Sequence, residues 1–418
     1  MTSRERILSA LNHSQPDRTP VDFGSTAVSG IHASMVYKLR KAYRLEEHPV
    51  KVVEPYQMLG EIENDLMEKL YADCAFVMPY TGMFGYRLNN WKPWTLFDGT
   101  PVLVPENFNT VPAPDGGLYQ FPEGDNSVPP SGYMPKGGNY FDSLPRLTPA
   151  FDEENPSVED NLEEFVILND EILKYYQIET EKLRKNTDYA VVVSVSGTGL
   201  GDIALVPAPF LKHPKGIRDV EEWYISLAGR KEFIKELFDR QTRIAVKNLS
   251  LFRQAMGNNI DVLMLCGTDL GTQNCPMCSP QSFDELYLPY YKRMTDWVHQ
   301  NTNWKIFKHC CGSIKPLIPG FIKAGFDILN PVQNSAKDMD PRTLKDEFGK
   351  NLTFWGGGVD TQRTLPFGTP DEVYKEVTER IQIYNNGGGY VFNTIHNTQP
   401  GTPVENFLTM IDAIRDFH

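Results

Sequence analysis

Residues 305–313 read K-I-F-K-H-C-C-G-S. An apolar run ends in a histidine and two cysteines, and a Gly-Ser turn follows. Runs that are apolar almost without interruption suit strands buried on both faces, as in a parallel sheet covered by helices. Seven more segments share this pattern: P-V-D-F-G from Pro20, C-A-F-V-M-P from Cys74, A-V-V-V-S-V-S from Ala190, D-V-L-M-L-C-G from Asp261, D-I-L-N-P from Asp327, L-T-F-W-G-G from Leu352 and Y-V-F-N-T-I-H from Tyr390. Helical signals fill most of the gaps. Ser279-Pro280 opens a helix running toward Gln300, and Asp340-Pro341 opens another. Thr2 with Glu5, Thr369 with Glu372 and Thr402 with Glu405 read as capping boxes, the last two with Pro at the first helical position. Strand, loop, helix, repeated eight times, predicts an α/β chain folded as a (β/α)₈ TIM barrel.

One connection is too long for this plan. Residues 80–188 separate the second and third predicted strands, and D-G-T-P, P-D-G-G and P-E-G-D punctuate short alternating runs there. That is hairpin chemistry. The expectation is a barrel from residues 1–79 and 189–418, with 80–188 inserted as a β-meander, followed by a helix over 158–186. Because the insertion leaves the C-terminal end of a strand, it is expected to wall or lid the catalytic face.

The 418 residues are 40% apolar and 23% charged, with a net charge of −13. An acidic balance argues against nucleic acid or an anionic membrane as the main partner. There is no run of eighteen apolar residues and no signal-peptide core at the start. Five of the six cysteines (Cys266, Cys275, Cys278, Cys310 and Cys311) fall within 46 residues, which is no disulfide framework. A cytoplasmic protein with reduced thiols is the expectation.

Polar residues collect at the predicted strand ends, where a barrel carries its catalytic groups. They are Asp269, His309, Cys311, Gln333, Asp360 and His396. Alternate strand residues share a face, so His309 and Cys311 point together and Cys310 points away. Imidazole and thiolate suit zinc, although two ligands alone also fit buried, unligated side chains. Cys275 and Cys278 make a single C-P-M-C with no second half and read as packing beside a helix start. S-G-T-G-L-G-D at 196–202 matches no phosphate loop, and its glycines read as a tight turn at the barrel mouth. His32 and Glu405 read as helix-start residues. Tyr80, Phe84, Tyr86, Trp91 and Trp94 make either a platform for a flat ring or the insertion's own core.

Beyond these patterns, the chain resembles the uroporphyrinogen decarboxylase superfamily of (β/α)₈ barrels. H-C-C-G-S-I-K-P-L-I-P from His309 is similar to the H-x-C-G segment of its zinc-dependent, corrinoid-linked methyltransferases. W-G-G-G-V-D-T-Q from Trp355 and H-N-T-Q-P-G-T-P-V-E-N from His396 resemble the last two strand ends, and S-R-E-R-I-L-S-A-L-N-H from Ser3 resembles the family's start. The decarboxylases carry an arginine-bearing loop after the first strand; here that loop is F-G-S-T-A-V-S-G-I-H-A-S, without arginine. The thiol methyltransferases place a cysteine where this chain has His396.

The resemblance implies a methyltransferase that moves a methyl group from a small methylated donor, an aromatic methyl ether for instance, to the cobalt of a corrinoid protein. Zinc would act as Lewis acid on His309, Cys311 and His396, with Asp269 and His396 as catalytic groups. Asp269, from the strand next to that of His309, is the rival third ligand. The implied partners are the corrinoid protein and the methyl donor, with a homodimer left open. Alternatives are a metal-free decarboxylase of the uroporphyrinogen type, a methylcorrinoid-to-thiol methyltransferase, and a non-catalytic tetrapyrrole- or corrinoid-binding barrel.

Overall fold

Valine-rich segments such as Ala190–Ser194 pair side by side, because their branched side chains pack well on both faces of a pleated surface. In the computed structural model, which describes residues 1–148 and 150–417, seven such strands form one parallel sheet. They are β1 (Cys74–Val77), β2 (Ala190–Ser194), β3 (Val262–Cys266), β4 (Lys305–His309), β5 (Ile328–Asn330), β6 (Thr353–Trp355) and β7 (Tyr390–Val391). Each strand pairs with the next in chain order, so the sheet curls in one direction. The segment at Pro20, expected as a full strand, is reduced to a single bridge between Val21 and Phe392. Its backbone still bonds to both edges: the Asp22 amide to the Phe392 carbonyl (2.9 Å), and the Asp73 amide to the Val21 carbonyl (2.7 Å).

The core has two layers. Val192, Val262, Phe307, Ile328, Trp355 and Val391 fill the concave side, joined by Ile7 and Leu11 of helix α1 (Ser3–Leu11). A larger cluster lies between sheet and helices, where Ile306 and Phe321 are fully buried. The period of two on β4 is visible here, since Phe307 and Ile306 belong to different layers. No helix among the described residues is long and apolar enough to cross a membrane.

The helix signals hold in part. Thr2 and Thr369 form complete capping boxes, and Asp340 and Ser279 cap their helices. Thr402 caps nothing: the last helix, Val404–Asp416, begins with Pro403 in the cap position and no side-chain bond. The helix expected toward Gln300 is two, Pro280–Leu286 and Leu288–Asn301, broken at Tyr287 with Pro near the start of the second. The helix expected over 158–186 is Asp170–Asn186, capped by Asn169. Upstream of it the chain is pinned in an irregular path, with the Leu168 amide on Asn248 Oδ1 and the Ile217 amide on Asn161 Oδ1.

Between β1 and β2 the Asp98-Gly99 and Asp115-Gly116 turns join antiparallel pairs, 92–95 with 101–104 and 110–112 with 118–120. Unforeseen from the sequence, Val50–Glu54 and Leu59–Gly60 form a hairpin, and Val50–Glu54 pairs in parallel with Pro101–Val104. Further bonds tie this region to the rest. His32, which caps helix α2 (Ala33–Ala42), meets the Asn139 carbonyl at 2.9 Å, and the Phe141 amide donates to the Tyr56 carbonyl. Arg146 donates to the carbonyls of Leu211 and Ala208. Phe84 and Tyr86 are buried and stacked on each other, Phe84 meets Phe141 edge-on, and Trp94 meets Phe108. The Tyr80 ring is covered by Arg87. Phe84 and Tyr86 are thus enclosed in packing, whereas Tyr80, Trp91, which Lys51 overlies, and Trp94 are half-buried.

Candidate metal centre

At the end of β4 the chain must turn sharply without losing the facing of its last side chains. Gly312 supplies the turn at φ 89°, and a Cβ there would lie 2.5 Å from the Gly271 backbone, so only glycine fits. Gln333 accepts the Gly312 amide at 2.8 Å, and Asp269 Oδ1 accepts the Cys311 amide at 2.6 Å. His309 and Cys311 therefore keep a common side, with Cys311 Sγ 3.3 Å from His309 Nε2. Cys310 turns the other way and accepts the Leu270 amide.

The adjacent strand orients the imidazole. His309 pairs in register with Asn330 on β5, and its Nδ1 lies 2.5 Å from Asn330 Oδ1. The Asn330 amide nitrogen donates to the Trp355 carbonyl, which fixes the amide with its oxygen toward His309. Nδ1 thus carries the proton, and the Nε2 lone pair faces the sulfur. Partners of this kind set tautomer and orientation in histidine–metal sites. Sequence reasoning missed Asn330; its signal was a lone polar residue ending the apolar run next to that of His309.

His396 arrives from the loop after β7 in a left-handed conformation, φ 68°. Such a backbone is uncommon for a residue with a side chain and marks a constrained site. The loop is drawn across by Asn397, whose side chain receives the Gly30 amide and donates to the Ala27 carbonyl and Gln57. The rings of His396 and His309 meet edge-on at 5.3 Å. One nitrogen or sulfur of each of His309, Cys311 and His396 lies within 4.8 Å of the others, the one such cluster of His, Cys, Asp and Glu found among the described residues.

This donor set fits zinc. Bonds of about 2.0–2.3 Å at tetrahedral angles put two ligand atoms about 3.5 Å apart, close to the sulfur–nitrogen spacing found. His396 fits by distance at a cost: its Nδ1 already accepts the Asn397 amide at 2.8 Å, so in the neutral ring Nε2 holds the proton. Ligation through Nε2 moves that proton and loses the bond. Asp269, 3.7 Å from His309 Nε2, stands ready as the alternative. Burial lowers the pKa of His309, and burial followed by the neighbouring His309 takes His396 down to about 4, so both are neutral at pH 7. Burial, with Asp269 second, pushes the Cys311 thiol well up, a penalty that a bound cation would offset.

Beneath the site lies a lysine that the sequence reading passed over. Lys308 is fully buried, its Nζ bonded to the carbonyls of Thr268 (2.5 Å) and His309 (2.7 Å) and to Cys266 Sγ (3.3 Å). It sits where β3 carries one extra residue against β4. Such bulges re-aim the residues that follow; here the next is the loop bearing Asp269. The other candidates stand apart. Asp360 Oδ1 accepts the Gln362 amide, Cys275 is exposed, and Cys278 is half-buried with its thiol raised to about 11 by burial.

Two relatives named uroporphyrinogen decarboxylase match in part: that of Coxiella burnetii is 26% identical over 162 residues, 38% of this chain. That of Geobacter metallireducens is 23% identical over 221 residues, 52% of this chain. The matches span 41% and 58% of those relatives' own lengths. In fold the chain is similar to the solved structure of a methyltransferase from Methanosarcina mazei, with TM-score 0.54, 16% identity and coverage of 100% of this chain and 99% of that one. The sequence model of the uroporphyrinogen decarboxylase (URO-D) family matches residues 208–417, which include every side chain of the candidate centre. The chain belongs to the uroporphyrinogen decarboxylase family.

Proposed function

We propose that the chain is a zinc-dependent methyltransferase that moves a methyl group from a small methyl ether to the cobalt of a corrinoid on a partner protein. The observation that carries this reading is the meeting of His309, Cys311 and His396, with His309 Nε2 already turned toward the sulfur. Zinc, when bound, supplies Lewis acidity to the ether oxygen as the methyl–oxygen bond breaks. The chain's own residues hold and orient that centre. Asn330 fixes His309, Asp269 fixes the Cys311 amide, and the Asn397 bonds hold His396 over the mouth. In the same proposal, residues 20–22 count as the eighth strand of a (β/α)₈ barrel. Residues 80–188 wall its mouth, and the protein works in the cytoplasm.

A metal-free decarboxylase is the second reading. The names of the relatives and the Nε2 proton of His396 favour it, and the arginine-free loop after residue 22 counts against it. Metal analysis of the purified chain, then turnover of a methoxyphenol with cobalt(I) cobalamin, tests the choice. One zinc per chain and methyl transfer are expected; a metal-free protein would favour decarboxylation. Zinc titration of His396→Ala and Asp269→Ala decides the third ligand. Loss in the first and retention in the second is expected, and the opposite result exchanges their roles.

A further inference from the structure

Each of β1, β2 and β3 has a single residue that is not buried: Phe76, Ser194 and Met264. All three lie on one face. Side chains alternate along a strand, and Cys74, Ala190, Val192 and Val262, two or four places earlier, fill the concave layer. Strands of a parallel sheet are ordinarily covered on both faces, so three neighbouring positions left half-buried on the concave side mark a hollow. Helix α1 stops that side at one end, with Ile7 and Leu11 in the concave layer and Arg4 on Asp261, just before β3. The hollow opens at the other end, where the strands deliver the candidate centre.

Strand register fixes how the hollow meets that centre. Met264 pairs with Ser194 on one side and Phe307 on the other, and Phe76 pairs with Val192. His309 is two residues beyond Phe307 on the same face, so strand spacing and rise put its Cα about 8 Å from that of Met264. Ser194 Oγ donates to Met264 Sδ at 3.3 Å, and the Met264 methyl lies 3.8 Å from where a Cβ on Gly267 would stand. Val28, from the loop after residue 22, packs on the concave layer as Met264 does. Its neighbour Ala27 receives the side chain of Asn397, next to His396.

We propose that Phe76, Met264 and Val28 form the floor of a binding site for an uncharged aromatic ring. A phenyl group, a thioether and a branched aliphatic group give a ring apolar contact, and both ring edges and sulfur attract aromatic partners. Charge at the rim sets the second requirement. Asp202 Oδ2 lies 2.9 Å from the same Gly267 Cβ position that the Met264 methyl faces, and Asp269 holds the Cys311 amide. Acidic groups so placed oppose an anionic ligand. Lys308 does not compensate: its Nζ is committed to two carbonyls and Cys266, and lies 5.6 Å from the ring centre of Phe321 in the other layer. That a methoxy group on the ring points toward the metal centre rests on the methyl-transfer reading; the floor itself does not.

Methyl ¹³C NMR of the purified full chain, labelled at its methionine methyl groups, tests the floor without any turnover. The Met264 signal is assigned by its disappearance in Met264→Leu, a volume-conserving change. Anisole is expected to move that signal upfield to saturation, because the methyl meets a ring face. The anion p-methoxybenzoate is expected to bind more weakly by about tenfold or more. Phe76→Ala is expected to weaken anisole binding by about tenfold. An unmoved Met264 signal, equal affinity for the anion, or parent-like affinity in Phe76→Ala overturns the proposal. If Phe76→Ala fails to fold, Phe76→Leu, which keeps an apolar group without the ring, replaces it with the same expected direction. The two readings fail separately. Anisole bound at Met264 with no methyl passed to cobalt(I) cobalamin sinks methyl transfer and leaves the ring site, whereas equal transfer from anisole and p-methoxybenzoate leaves methyl transfer and sinks the ring site.

Discussion

Cys310 and Cys311 are neighbours in sequence with opposite surroundings, and this was legible beforehand because strand alternation is a geometric rule. Cys311→Ser is expected to abolish zinc binding, since a hydroxyl is a poor substitute for thiolate at an N/S site. Cys310→Ser is expected to retain it, and metal analysis of the two folded variants checks both. His396 also predicts how the metal-free protein responds to acid. Its folded pKa of about 4 lies below the ordinary 6.5, so between those values the unfolded chain binds more protons than the folded one. Stability is therefore full above about pH 6.5 and is lost as pH falls through 4. Urea midpoints measured across that window should drop for the parent and stay flatter for His396→Gln. Asn330 escaped the sequence reading because its importance lies in which strand it abuts, and a single sequence does not state its neighbours.

Among the elements, two of the three capping boxes, whose signals are local, were read correctly. Thr2 and Thr369 needed only a residue three positions on to complete their caps. The Thr402 box failed because the preceding loop is pulled toward residues 27–30, leaving Pro403 in the cap position. The pairing of Val50–Glu54 with Pro101–Val104 was illegible because it joins segments about fifty residues apart. The bulge in β3 belongs to this non-local class, and Lys308 is what makes it tolerable, by satisfying two carbonyls inside the core. Lys308→Met removes both donors. A buried acceptor left unpaired costs about 1–3 kcal/mol, so a loss of about 2 kcal/mol or more in chemical denaturation is expected. A variant as stable as the parent would show that the carbonyls find other partners.

Over the whole molecule, seven of the eight apolar runs became strands of one sheet, and the placing of polar residues at one end of it was evident from them. What those runs did not reveal is how the beginning and the end of the chain depend on each other. The Asp22 amide bonds to the Phe392 carbonyl, the Phe392 amide to the Pro20 carbonyl, Asn393 to the Asp22 carbonyl and Asn397 to the Gly30 amide. During synthesis, at about 5–20 residues per second, residues 20–30 leave the ribosome on the order of tens of seconds before their partners. Through that interval residues 20–22 lack the neighbour that Phe392 will bring, and the loop that receives Asn397 has nothing to hold. Nascent chains arrested at residue 385 should therefore be cut readily by protease near residues 20–30, while released full-length chains resist. Equal resistance would mean that the early segments find a stable home without the last strand. The same bonds that bring His396 over Cys311 thus delay folding on the ribosome, because the candidate centre cannot assemble until residues 392–397 have emerged.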